Sequence, residues 1–206
     1  MNNISTLGLP SYAAELFSST QGENGWRYAY EASSGTWVDM PFYATNDFNG
    51  AWEVSEAQYV SAFELAPASC SGDCDTGGVA REWVAPQSGS VDVRGWILKT
   101  AAGGTGVYAA IDLVSGEDVT PLWPVYGGRL FLAGNNQGGV ATDVSSVAVH
   151  AGDRIRFEVF ANGDNSYDTV SWTPSVAYVR PQRSRLGGGT RRPSGSPSLP
   201  QAANRF

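Results

Sequence analysis

Residues 144–160 read VSSVAVHAGDRIRFEVF. Apolar side chains recur at Val147, Val149, Ile155, Phe157 and Val159. The polar Arg154, Arg156 and Glu158 interleave with the last three, and His150-Ala151-Gly152-Asp153 interrupts the pattern with a short turn-forming run. Successive side chains of a strand point to opposite faces. The segment therefore predicts a β-hairpin with Ile155, Phe157 and Val159 in a core and Arg154, Arg156 and Glu158 in water.

The same period of two recurs on either side. Val91, Val93, Gly95 and Ile97 alternate with Asp92 and Arg94, and Val107, Ala109, Ile111 and Leu113 lie opposite Tyr108 and Asp112. Val79–Val84 ends at Ala85-Pro86, Trp26–Tyr30 turns at Ser33-Ser34-Gly35, and Val170–Trp172 and Val176–Val179 close the series. This pattern predicts nine or ten short strands and no helix, an all-β antiparallel β-sandwich of jelly-roll type. The 25 glycines and 11 prolines supply the turns, and 42% hydrophobic residues supply a core. The expected organisation is an N-terminal arm over residues 1–15, a sandwich domain over 16–179 and an extended basic tail over 180–206, rich in Gly, Ser and Pro.

Charge is distributed unevenly. The tail carries Arg180, Arg183, Arg185, Arg191, Arg192 and Arg205 and no acid, leaving seven basic residues against all 20 acidic ones in the rest of the chain. An acidic body with a basic tail predicts that the tail rests on an acidic surface. The partner is then another copy of the chain or a capsid or tail protein, reached through arm and tail. The body's own charge argues against nucleic acid. Residues 1–10 lack the basic and apolar regions of a signal peptide, and no stretch approaches the roughly 18 apolar residues of a membrane span. A virion or extracellular location and no membrane partner are the corresponding expectations.

Little here suggests catalysis. The one histidine, His150, sits at a turn, and no nucleophile elbow, phosphate loop or metal-spaced histidine pair accompanies it. The expectation is that the chain is not an enzyme and needs no cofactor. Cys70 and Cys74 fit either a loop-stapling disulfide or two free thiols. The run Asn162-Gly163-Asp164-Asn165-Ser166-Tyr167-Asp168 offers Asn162, Asp164 and Asp168 as oxygen ligands for a structural Ca²⁺, although the same residue types form ordinary turns. Aromatic rings can stack on sugars. Trp123 and Tyr126, in the loop PLWPVYGG, are the candidates for exposed glycan contacts, with Tyr28 and Tyr30 beside them, while Trp83, Trp96 and Trp172 are expected in the core.

Several segments in order resemble a jelly-roll carbohydrate-binding-like module of the kind attached to bacterial glycoside hydrolases and cell-surface proteins. Phe17-Ser18-Ser19-Thr20-Gln21-Gly22-Glu23-Asn24-Gly25-Trp26-Arg27-Tyr28 resembles its opening F-S-x-x-Q-G-x-N-x-W-x-Y. Arg81-Glu82-Trp83 with Pro86 and Gly89-Ser90-Val91, then Val149–Phe157, then Asn162–Asp168 with Trp172-Thr173-Pro174, are similar to its later motifs. The resemblance spans about residues 16–179 and implies a sandwich with carbohydrate-binding-like architecture. Gly104-Thr105-Gly106 departs from it where the module ends Gly-Asp-Gly. Two functions follow as expectations. One is a non-catalytic structural or accessory protein of a phage- or virus-like particle (decoration, head-fibre or tail component), adhering to host glycans. The other is a carbohydrate-binding module of a secreted protein or enzyme.

Overall fold

The computed structural model describes residues 9–45, 50–70, 74 and 76–179. It is an all-β antiparallel sandwich, and among the described residues the only helical element is one 3₁₀ turn, Glu23–Gly25. The first layer is one sheet in the order β12 (Asp118–Trp123), β11 (Val107–Ser115), β16 (Arg154–Ala161), β8 (Val79–Val84), β2 (Trp26–Ser33), β3 (Thr36–Asp39). β13 (Leu130–Leu132) continues along the β12 edge of β11. The second layer is two sheets. One runs β1 (Ser11–Tyr12), β18 (Ser175–Tyr178), β9 (Gly89–Arg94), β15 (Val144–Val149). The other runs β14 (Val140–Ala141), β10 (Trp96–Lys99), β17 (Val170–Trp172), β7 (Glu64–Ala66), β6 (Gln58–Ser61), β5 (Ala51–Ser55), β4 (Phe42–Ala44).

The second layer divides because three adjacent strands break at one level. Gly95 separates β9 from β10, Thr173-Pro174 separates β17 from β18, and Thr142-Asp143 separates β14 from β15. Proline has no N–H for the ladder, and a β-carbon on Gly95 would lie 2.7 Å from the Thr142 hydroxyl, so these residue types fix the break. Thr142 Oγ1 accepts the Trp172 indole N–H at 3.1 Å, and the Gly95 carbonyl accepts the Thr142 N–H at 2.9 Å.

Between the layers lies one aromatic and aliphatic core. Phe157 of β16 is fully buried, its ring 5.4 Å edge-on from Trp172 of the second layer and 6.0 Å from Trp26 of its own sheet. Ile155, Val159, Val79, Val107, Ala109 and Ile111 surround it from the first layer, and Val91, Val93, Ile97 and Val170 from the second. The inward side chains predicted for β16 are therefore correct.

Other expectations change. Among the described residues eighteen strands are present where nine or ten were expected: β1, β4, β5, β6, β12 and β14 had no counterpart in the pattern, and the run 90–99 divides at Gly95 into β9 and β10. Residues 9–15 do not form a separate arm. Ser11–Tyr12 pairs with β18, Ala13 is buried in the core and Ser11 Oγ accepts the Trp26 indole N–H at 2.9 Å. Residues 1–8 and 180–206, including all six tail arginines, lie outside the described residues. Arg156 and Glu158 leave the core as predicted but are only 5% exposed, since their neighbours on the sheet cover them. Phe157→Ala is expected to cost about 3–5 kcal/mol, the usual range for truncating a buried aromatic, read as a lowered urea midpoint with an unchanged m-value.

Candidate functional site on the outer face of the first sheet

The register of β11, β16, β8 and β2 aligns outward side chains in rows. Asp112 lies opposite Arg156, Arg156 opposite Glu82, and Glu82 opposite Arg27, a row of alternating charge across four strands. The next row is nearly all small, with Ala110, Glu158, Ala80, Ala29 and Asp39. These alanines let the long side chains on either side fold down over the sheet. The row beyond is aromatic. Phe131 stands opposite Tyr108 and Tyr108 opposite Phe160, while Trp37 on the far edge strand reaches Phe160 edge-on at 5.7 Å. Gly78 makes room for this: a β-carbon there would lie 2.5 Å from the Phe160 ring.

Ion pairs hold the polar groups. Glu82 accepts Arg156 Nε at 2.7 Å and lies 3.6 Å from Arg154 Nε. Glu158 pairs with Arg129 Nε at 3.2 Å, and Arg27 pairs with Asp39 at 2.6 Å. Two of the guanidiniums also lie over rings, Arg129 at 3.5 Å from the Phe160 centroid and Arg156 at 4.7 Å from that of Trp37. Phe160 is thereby sealed, whereas Phe131 is 46% exposed and Tyr108 and Trp37 are half-buried. The face thus offers partly open rings beside charged groups whose positions are already fixed.

Asp112 is the exception. Among the described residues this carboxylate has no ion-pair or hydrogen-bond partner, and it lies between Arg156 and Glu158 at 9% exposure. Burial, reinforced by the Glu158 charge and opposed by Arg156 and Arg129, pushes its pKa up to about 6.

The residues expected to make the site are mostly elsewhere. Trp123 lies opposite Ile111 across a bulge in the β11–β12 pairing and points into the core, 8% exposed, with its ring 6.3 Å from Trp172. Tyr28 faces inward and is 1% exposed, and Tyr30, on the same side of β2, packs half-buried against the core cluster. Tyr126 is fully exposed, as expected, in the loop between β12 and β13, three residues before Arg129. Trp83 and Trp172 are buried, but Trp96 is 51% exposed on the second layer and donates its indole N–H to the Gly138 carbonyl.

The Ca²⁺ ligand set does not assemble. Asp168 is fully buried and paired at 2.5 Å with Lys99, itself fully buried. Asp164 accepts the Ser166 N–H, and Asn162 donates to the Thr105 carbonyl. No three His, Cys, Asp or Glu side chains among the described residues are placed to hold a metal ion. Cys70 and Cys74 form a disulfide, and Cys70 Sγ also accepts the Gly163 N–H, tying the two loops together. His150 is exposed, with its imidazole 3.4 Å from Asp153.

A carboxyl whose folded pKa lies above its unfolded value near 3.9 binds its proton more tightly in the native state, so its effect on stability worsens as pH rises through about 4 to 6. Asp112→Asn is therefore expected to raise the thermal midpoint at pH 8 and to change it little at pH 4. An equal shift at both values would refute the assignment.

No protein-family model matches the chain, and no curated protein sequence does. Among solved structures the chain is similar to TmCBM61 in complex with β-1,4-galactotriose (11% identity over 80% of this chain and 98% of that one, TM-score 0.39). It is also similar to the C-terminal CBM6 of LamC from Zobellia galactanivorans (14% identity, 74% and 98% covered, TM-score 0.31). A third is the N-terminal cellulose-binding domain of Cellulomonas fimi β-1,4-glucanase C (11% identity, 83% and 96% covered, TM-score 0.36). These neighbours are carbohydrate-binding modules with a β-sandwich fold.

Proposed function

We propose that the chain is a non-catalytic glycan-binding domain whose ligand lies across the outer face of the first sheet, over Phe131 and Tyr108 and beside Asp112 and Arg129. The observation that carries this reading is the placement of partly exposed rings next to Arg129, held by its ion pair with Glu158, and the carboxylate of Asp112. Sugar C–H faces stack on rings, and their hydroxyls bond to carboxylates and guanidiniums. Polar groups already ordered lose little freedom when a ligand arrives.

The test is affinity electrophoresis of the whole chain against a panel of soluble neutral and acidic polysaccharides. Phe131→Ala is expected to weaken binding about tenfold, the equivalent of about 1.4 kcal/mol, while Trp96→Ala on the opposite layer leaves it unchanged. The reverse pattern would move the site to the second layer, and release of reducing ends would overturn the non-catalytic reading.

The finer proposal, a component of a phage- or virus-like particle, is supported by the separation of a basic 180–206 from an acidic body. On that reading, deleting residues 180–206 abolishes incorporation into the particle and leaves the unfolding midpoint unchanged. Incorporation at the normal level would refute it.

A further inference from the structure

Six of the seven basic residues before Arg180 stand within ion-pair distance of a carboxylate. Arg27, Arg129, Arg154 and Arg156 are held on the first-layer face, Arg94 by Asp92 and Asp143, and Lys99 by Asp168. Arg81 is the seventh. It stands on β8 directly opposite Phe157 of β16 and Tyr28 of β2, so its side chain points between the layers, and it is fully buried. Its guanidinium donates to the Ser61 carbonyl at 3.2 Å and to the Ala62 carbonyl at 3.3 Å. Both acceptors are neutral, and Nε has no hydrogen-bond partner among the described residues.

The neighbouring position is unsatisfied as well. The Tyr28 hydroxyl is buried and its proton has no acceptor: the Ser18 backbone group beside it favours the ionised phenol, as a donating N–H does. Apolar surface encloses the phenol, with the Trp52 ring stacked on it at 6.1 Å and the Phe17 ring 4.8 Å away. Burial lowers the Arg81 pKa to about 10 and raises that of Tyr28 to about 12. At neutral pH the guanidinium is therefore charged and the phenol keeps its proton. A full positive charge and two donors thus share an interior region that supplies no negative group. Such a charge is strongly destabilising unless something compensates it.

We propose that Arg81 and Tyr28 hold a small monovalent anion, a halide such as chloride, between the two layers, with Arg81 Nε–H and the Tyr28 hydroxyl donating to it. A halide accepts hydrogen bonds from any direction, and its single charge neutralises one guanidinium. A divalent oxyanion would be too large for a close-packed interior and would leave net negative charge in apolar surroundings. The same guanidinium reaches across to Ser61 and Ala62, so the ion would brace β2 and β8 of the first layer against the end of β6 in the second. Only the folded chain brings these groups together, so occupancy of the site stabilises the fold.

Urea unfolding of the full chain, followed by circular dichroism, tests this with chloride exchanged for gluconate at constant ionic strength. For a site half-filled at about 10 mM, the folding equilibrium constant is expected to rise about tenfold between about 1 and 100 mM chloride. Bromide should substitute for chloride. Arg81→Met, of similar length and uncharged, is expected to lose the dependence. Tyr28→Phe removes only the hydroxyl, and is expected to keep the fold and to need about fivefold more chloride for the same effect. It decides the matter if Arg81→Met does not fold. A flat response in wild type, an equal response in folded Arg81→Met, or an unchanged response in Tyr28→Phe overturns the proposal.

Discussion

The whole arrangement depends on β16, the strand whose two sides do different work. Its odd-numbered side chains, Ile155, Phe157 and Val159, meet both layers of the core, and Phe157 bridges them through Trp26 and Trp172. Its even-numbered side chains, Arg154, Arg156, Glu158 and Phe160, supply the centre of the opposite face. Because the side-chain period of a strand is two, a slip of one residue against β11 or β8 would bury the charges and expose the rings together. Core packing therefore fixes the register, and the register aligns the charged row from Asp112 to Arg27. Stability and the candidate site are set by the same pairing.

Electrostatics then divides the molecule. Four of the seven basic residues before Arg180 lie on the first-layer face, each within reach of a carboxylate there. The partly covered pairs Arg27–Asp39 and Arg129–Glu158 contribute modestly to stability, and their larger effect is to hold long side chains in place. In the second layer Arg94 pairs with Asp92 and Asp143 and Lys99 with Asp168, so its basic residues too are held by carboxylates.

How much of this was legible in the sequence depends on the range over which each feature is encoded. Residues 144–160 announce their hairpin locally, and alternation gave the direction of every β16 side chain. It could not give the burial of Arg156 and Glu158, which depends on Trp37 and Arg129, far away in sequence. The run PLWPVYGG reads as a loop by composition, yet a bulge opposite Ile111 carries Trp123 into the core and leaves Tyr126 outside. Trp96 shows the converse. It alternates with the buried Ile97, so its exposure was written in the pattern, and its size alone suggested a core position. The site's own residues, Asp112, Arg129, Phe131 and Trp37, carry no motif. Only the pairing of β11, β16, β8, β2 and β3, drawn from both ends of the chain, brings them onto one surface.

The acidic loop at residues 162–168 makes a related point about cations. Its oxygens invite a metal ion by composition, and a positive charge does bind there, but it is covalently attached. Lys99 Nζ bonds to Asp168 Oδ1 at 2.5 Å and to the Gly103 carbonyl at 3.3 Å, while the other Asp168 oxygen lies 3.5 Å from Thr105 Oγ1. The ammonium thus joins loops 100–106 and 162–169 through the kinds of oxygen a hard cation would use. Removing either partner would leave an uncompensated charge in the interior, a cost of about 3–5 kcal/mol. The pair therefore ties these two loops together. The lysine thus supplies a positive charge to the carboxylate and carbonyl oxygens at this end of the sandwich.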